Sequence, residues 1–157
     1  MQKFRDAEQI YDSCLADGLL KQSEEENTAK IKSLLENAAI HLSTADIVAK
    51  ALHQNSKEWM DVFTLHYEAL RTYAEALLLF EKIKSSNHQC LLAALCVKFP
   101  QLELDWQFLD IIRTKRHGIN YYGERITYQD WKIVEIQVKL YASTLRKEIE
   151  ERLKENS

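Results

Sequence analysis

The sequence predicts an all-α fold, an antiparallel up-and-down helical bundle with a four-helix core plus shorter helices. Three observations carry this expectation. The 157 residues include only 3 glycines and 1 proline, against about 11 and 8 at average usage, too few for the turns that a β-rich domain needs about every 8 to 12 positions. Apolar residues recur at three- and four-residue steps over long stretches. Polar capping residues and glycines punctuate those stretches at helix starts and stops. Short connections between long helices favour antiparallel neighbours.

Each element follows from a local signal. A first helix is expected over 2–17, with Phe4, Ile10, Cys14 and Leu15 toward one side and Gly18 as its stop. Residues 21–27 are polar and include Glu24, Glu25 and Glu26, which reads as a solvated linker. A second helix starts near Thr28 and sets Ile31, Leu35, Ala38, Leu42, Ala45, Ala49 and Leu52 on alternating four- and three-residue steps, the seam of a bundle helix. Asn55 and Glu58 have the spacing of a capping box. The third helix behind them carries Trp59, Phe63, Leu70, Tyr73, Leu77 and Phe80, and its end is apolar nearly all round, which places it centrally. Asn87 caps a fourth helix that ends at Phe99-Pro100. A fifth helix covers 105–117 and stops at Gly118. Thr127-x-x-Asp130 caps a sixth, with Trp131, Val134, Val138, Tyr141, Leu145, Ile149 and Leu153 at helical spacing. Trp59, Trp106 and Trp131 all open helices and read as core anchors. The organisation expected is an N-terminal helix with an acidic linker over 1–27 and a helical bundle over 28–157. The first helix either packs on that bundle or extends to a partner.

Composition bounds the function. A hydrophobic fraction of 46% and a charged fraction of 29% describe a folded globular chain. The longest apolar run, 91–97, is far shorter than the roughly 18 residues of a membrane span, so no membrane is expected as a partner. The opening residues through Asp6 are mixed in charge and carry no apolar core of a signal peptide. Cys14, Cys90 and Cys96 are odd in number and form no C-x-x-C, so the expectation is reduced core thiols in a cytoplasmic protein. The net charge, 21 minus 24 or −3, excludes a globally basic nucleic-acid coat and leaves room for a local patch. Gly18, Gly118 and Gly123 cannot build a G-x-G-x-x-G turn or a P-loop. No H-E-x-x-H or Glu-x-x-His occurs, so no metal and no cofactor is expected. His41, His53 and His66 are scattered and read as surface or satisfied histidines.

One segment is dense in polar chemistry: Arg113-Thr-Lys-Arg-His-Gly-Ile-Asn-Tyr-Tyr-Gly-Glu-Arg125. Between 111 and 125 lie four basic residues and one acid. Guanidinium groups bind phosphate bidentately, and aromatic faces stack bases. Arg113 and His117 are four apart and share a helix face, and a histidine titrates near neutral pH, as a general base must. The rival reading is a basic helix C-terminus that complements the macrodipole. His88, within Ser85-Ser-Asn-His-Gln89, either faces an anion beside free backbone N–H groups or belongs to the cap alone. Glu75, amid apolar neighbours, is either a snorkelling surface residue or a partner for the arginines.

Three stretches together resemble the HEPN family (higher eukaryotes and prokaryotes nucleotide-binding). They are Tyr73-Ala-Glu-Ala-Leu-Leu-Leu79, Ser85-Ser-Asn-His-Gln-Cys-Leu-Leu-Ala-Ala-Leu95, and Arg113-Thr-Lys-Arg-His-Gly-Ile-Asn-Tyr-Tyr-Gly123 followed by a long final helix. The likeness covers about 30–153. It implies a helical bundle that forms a homodimer. It also implies, as in many members, a place in a toxin–antitoxin pair beside a minimal nucleotidyltransferase or other antitoxin partner. Active members are metal-independent ribonucleases with an Arg-x(4–6)-His motif. Aligning Arg116 with the motif arginine sets His117 next to it and puts Tyr121 at the motif histidine position; no histidine follows Arg113 or Arg116 after four to six intervening residues, and Arg113-x-x-x-His117 is one residue short.

The resulting expectation is a cytoplasmic, dimeric HEPN-like bundle that binds RNA, a nucleotide or a partner protein through 113–125. Arg113, Arg116 and Arg125 hold phosphate. Tyr121 and Tyr122 stack or hydrogen-bond, and His88, His117, Asn120 and Glu75 supply polar contacts. Two rivals stand beside it. One is a metal-independent endoribonuclease toxin, with Arg116, His117 and Tyr121 as the catalytic candidates. The other is a non-catalytic protein-interaction module.

Overall fold

A computed structural model describes residues 5–23 and 27–157. The expected helical start at Gln2, the Phe4 position and the acidic run Glu24, Glu25 and Glu26 lie outside the described residues. Among the described residues are six helices: α1 (Ala7–Ala16), α2 (Thr28–Ala51), α3 (Trp59–Leu79), α4 (His88–Lys98), α5 (Trp106–Tyr122) and α6 (Tyr128–Glu155). The all-α expectation holds. Two-residue strands β1 (Lys21–Gln22) and β2 (Ile83–Lys84) pair antiparallel, Lys21 opposite Lys84 and Gln22 opposite Ile83. Part of the expected linker is therefore tied to the α3–α4 connection, although Lys21 and Gln22 stay exposed.

The third helix is central, as its apolar end requires. Phe63, Tyr67, Leu70, Tyr73, Leu77 and Leu78 of α3 are all buried, and α2, α4, α5 and α6 all pack on it. Because α2 and α3 run along each other and are joined only by residues 52–58, they are antiparallel. On α2 the heptad positions Ile31, Ala38 and Ala45 are fully buried, with Leu35, Leu42 and Ala49 half-buried at the seam edges. Trp59, Trp106 and Trp131 are buried near helix starts, and fully burying such a side chain contributes more than the roughly 1.5–3 kcal/mol of a leucine.

Most caps stand where expected. Asn87 Oδ1 accepts from Cys90 N at 3.0 Å. Thr127 and Asp130 form a reciprocal capping box at α6. Gly18 takes a left-handed φ of 68° just past α1. Two expectations are corrected. Asn55 and Glu58 form no capping box. Glu58 stands at the N-cap with helical angles and no side-chain bond, because the turn before it is closed by Ser56, whose Oγ accepts from His53 N at 2.9 Å. The fifth helix does not stop at Gly118 but runs to Tyr122, and Gly123, with φ 63°, supplies the left-handed end. Gly118 is buried within the helix, and the Glu124 carboxylate occupies the space a Cβ there would need.

The expectation of three reduced thiols is also corrected. Cys14 of α1 and Cys90 of α4 form a disulfide, with Cα atoms 5.8 Å apart, and Cys96 remains free. An odd cysteine count conceals one bridge plus one thiol. Disulfides persist mainly in oxidising surroundings, so the cysteines no longer speak for a cytoplasmic setting. The bridge fastens α1 to α4, and Ile10 joins the common core. The Trp106 indole N–H adds a bond of 3.1 Å to the Arg5 carbonyl. Among the described residues no helix is long and apolar enough to cross a membrane, and no cluster of three His, Cys, Asp or Glu side chains is placed to hold a metal.

Candidate functional site

The extra turn and a half of α5 builds the site. Continuing the helix past Gly118 stacks Arg113, His117 and Tyr121 at i, i+4 and i+8, with Arg116 and Asn120 one position round. These side chains face Tyr67 and Glu68 of α3 and the N-terminus of α4, where Asn87, His88 and Gln89 sit. Together they enclose a hollow of about 390 Å³. The positive end of α4 borders it, which favours an anion.

The two arginines are held differently. Arg113 is pinned by Asp110 of its own helix, with Nε and Nη2 at 2.9 and 2.8 Å from Oδ1. Arg116 reaches across to α3, where its Nε lies 3.6 Å from Glu68 Oε1. That contact lacks hydrogen-bond geometry, so Arg116 Nε and Nη1 are buried with no acceptor. Glu68 is already engaged by Arg71, at 2.9 and 3.1 Å. Arg71 also reaches Glu75 at 3.2 Å, and Lys30 lies 3.8 Å from Glu75. A chain of alternating charge thus runs from Lys30 to Arg116.

His88 and Tyr67 share a hydrogen bond of 3.2 Å between Nδ1 and the phenol oxygen. Burial first, then the Glu68 charge, pushes the Tyr67 phenol up to about 12, against the nearby arginines, so it stays protonated. Desolvation first, then Arg71, with smaller effects of Arg116 and Arg113, holds the His88 ring below its ordinary value; Glu68 opposes them. His117 is exposed at the lip of the hollow, its ring tilted on Tyr121 with centroids 4.5 Å apart.

The structure therefore brings His88, Arg113, Arg116, His117, Asn120 and Tyr121 to one hollow. It does not bring the other three there. Tyr122 is 74% exposed and does not line it. Arg125 borders a separate depression beside Gln54 and Tyr128. Glu75 lies in a neighbouring depression with Lys30 and reaches the hollow only through Arg71 and Glu68. Sequence reasoning missed Tyr67, Glu68 and Arg71. The available signal was Glu68-x-x-Arg71-x-x-x-Glu75, three charges on one face of a helix otherwise apolar enough to be central.

Chemically, the hollow offers two guanidinium groups, a helix N-terminus, two imidazoles and one carboxylate that is already paired. This set suits a phosphate-bearing ligand, with aromatic surface at the lip for a base. No protein-family model matches this chain, and no curated protein and no solved structure matches it.

Proposed function

We propose that the chain is a HEPN-like helical domain that binds RNA or a nucleotide through its phosphate in the hollow between α3, α4 and α5. The observation that carries this reading is Arg116, whose two buried N–H donors lack any acceptor beside Arg113 and the α4 N-terminus. Buried donors without partners are rare and costly, and a shift of the partly exposed Arg116 guanidinium toward a phosphate in the hollow satisfies them. The test is binding of a short single-stranded RNA followed across a salt series. Affinity falls as salt rises, and the Arg113→Ala/Arg116→Ala double variant weakens it at least about tenfold. Unchanged affinity in that variant overturns the reading, and a chain that binds no RNA at moderate salt fits the interaction-module alternative instead.

The metal-independent endoribonuclease reading draws support from one feature, the exposed His117 ring beside both arginines. His117 takes the 2′-hydroxyl proton as that oxygen attacks phosphorus, Arg116 meets the phosphorane charge, and the P–O5′ bond breaks as the leaving 5′-oxygen takes a proton from water. RNA cleavage in chelator, lowered about 10²- to 10⁴-fold in His117→Ala, checks it; cleavage unchanged from the parent in both His117→Ala and Arg116→Ala removes it.

Homodimerisation is part of the same proposal. Ile133, Ile136 and Leu140 form an apolar stripe on the outer face of α6, exposed by 81%, 81% and 59%, which is surface for a second copy. Sedimentation of the Ile133→Glu/Ile136→Glu variant as a monomer, beside a dimeric parent, is the expected result. The toxin–antitoxin role rests on the likeness alone, and its test is co-purification with a nucleotidyltransferase encoded beside this chain.

A further inference from the structure

A second cleft, sharing no residue with the anion hollow, opens between α2 and α6 with α3 as its floor, and measures about 320 Å³. Its origin is in the sequence. Ala45 and Ala49 of α2 and Ala142 of α6 stand where larger side chains would close the gap above Val62 and Trp131. Both outer helices pack on α3 far more than on each other. The volume falls at the lower end of the range for small-molecule sites, which in bundles form between helices.

The floor holds one polar group, His66, which is only 5% exposed. Its ring leans on Trp131 with centroids 4.4 Å apart. Nδ1 lies 2.7 Å from the Val62 carbonyl oxygen. A carbonyl only accepts, so Nδ1 carries the proton and Nε2 of the neutral ring presents a lone pair. Nε2 has no hydrogen-bond partner among the described residues, and the ring lines the cleft. Desolvation holds the ring below its ordinary pKa, with Lys139 adding to the effect. The Val62 bond, Glu135 and Asp46 oppose it. The ring is therefore neutral at pH 7.

The charges around the rim are already partnered. Asp46 pairs with Lys50 at 2.9 Å, Glu135 with Lys132 and Lys139 at 2.6 and 3.1 Å, and Arg146 with Glu150 at 2.9 Å. Two acids and two bases line the cleft, so its charge balances. A charged ligand finds no free counter-ion there. A neutral one with an apolar body and a single donor matches alanine walls, an indole surface and one open acceptor.

We propose that this cleft binds a small neutral aromatic compound carrying one hydrogen-bond donor, whose N–H or O–H donates to His66 Nε2 while its ring lies against Trp131 and the alanines of α2 and α6. The probe that tests it is indole, set against 1-methylindole, which keeps the ring and loses the donor. Titration of the full chain, followed by backbone amide shifts, gives saturable indole binding with a Kd of roughly 1 mM or tighter, and shifts centred on His66, Trp131 and Ala142. 1-Methylindole binds about tenfold more weakly, the scale of one lost hydrogen bond. His66→Leu removes that discrimination, and indole binding falls as acid protonates the ring. Ala142→Leu fills the cleft and abolishes binding without touching His66. The Arg113→Ala/Arg116→Ala variant binds indole normally, which separates this proposal from the RNA reading. Absence of saturable binding, equal affinity for the two probes, or indole affinity unchanged in both His66→Leu and Ala142→Leu overturns the proposal.

Discussion

Arg116 Nε lies 3.6 Å from Glu68 Oε1, yet the guanidinium keeps two buried N–H groups without an acceptor. Glu68 does not depend on Arg116, since Arg71 holds it through two bonds. Removing the Arg116 charge therefore leaves no orphaned carboxylate, and it relieves donors whose burial costs about 1–3 kcal/mol. Arg116→Met keeps the apolar stem. Its expected outcome is a ligand-free denaturation midpoint equal to or above that of the parent, together with RNA binding weakened at least about tenfold. A residue that served stability alone would show the opposite pattern, a lowered midpoint with binding intact.

The Cys14–Cys90 bridge spans 76 positions in sequence. Closing a loop of that size in the unfolded chain is worth roughly 4 kcal/mol in the chain-entropy description. Reduction, or Cys14→Ala/Cys90→Ala, is expected to lower the denaturation midpoint by a matching amount and to free α1 first, because the bridge is the covalent link between α1 and α4. Burial pushes the Cys96 thiol up to about 12, with Asp105 adding to it. Thiol counting with an alkylating reagent should therefore find no fast-reacting cysteine in the oxidised folded protein, and two new reactive thiols after reduction. Modification of more than one cysteine before reduction, in the denatured as in the folded chain, contradicts the bridge.

His66 sets a pH dependence whose sign is fixed. Its folded pKa is lowered, chiefly by desolvation, below the ordinary 6.5 that the unfolded chain restores. Above about 6.5 both states are deprotonated and the group does not affect stability. Below that, the unfolded state takes up the proton first. Stability therefore falls as pH drops from 6.5 through the lowered folded value, with a slope of at most about 1.4 kcal/mol per pH unit from this group. His88 is lowered in the same direction. The carboxylates of Asp130, hydrogen-bonded by Thr127, and of Glu135, paired with Lys132 and Lys139, are lowered as well and lose their contribution only in more acid solution. Urea midpoints measured from pH 7.5 to 5 check this. His66→Phe flattens that part of the profile, whereas a parent profile that rises toward pH 5 excludes a desolvated His66.

What the sequence made legible was local. Asn87 and Thr127 announce their helices because a cap is a bond between a side chain and an amide three residues away. The α2 seam and the apolar end of α3 were legible because burial repeats at the helical period. Tertiary choices were not. Asn55 lost its capping role because Ser56 closed the preceding turn first. Cys14 and Cys90 are distant in sequence, and an odd count hides the pair. The candidate site was half legible: the α5 side was visible as a basic, aromatic segment. The α3 side, Tyr67, Glu68 and Arg71, sat within a helix whose apolar stripe dominated its pattern. Which arginine faced a carboxylate and which kept free donors depended on helix packing that no spacing encodes.

Gly118 and Gly123 give opposite expectations that follow from where α5 ends. Gly118 is inside the helix, without a positive φ, and only the far end of the Glu124 side chain occupies its Cβ space. Glu124 is exposed and can swing aside. Alanine there gains helix propensity and loses unfolded-state freedom, so Gly118→Ala should raise stability by up to about 1 kcal/mol. Gly123 has φ 63° with open space around its Cβ position, so crowding is no obstacle and the cost lies wholly in the backbone. Gly123→Ala should therefore lower stability by about 1–2 kcal/mol. A helix that ended at Gly118 reverses the assignment, since Gly118 then becomes the left-handed residue. Denaturation midpoints of the two single variants decide it. They also bear on the site, because only a helix continuing to Tyr122 stacks Asn120 and Tyr121 above Arg116 and His117 at the mouth of the hollow.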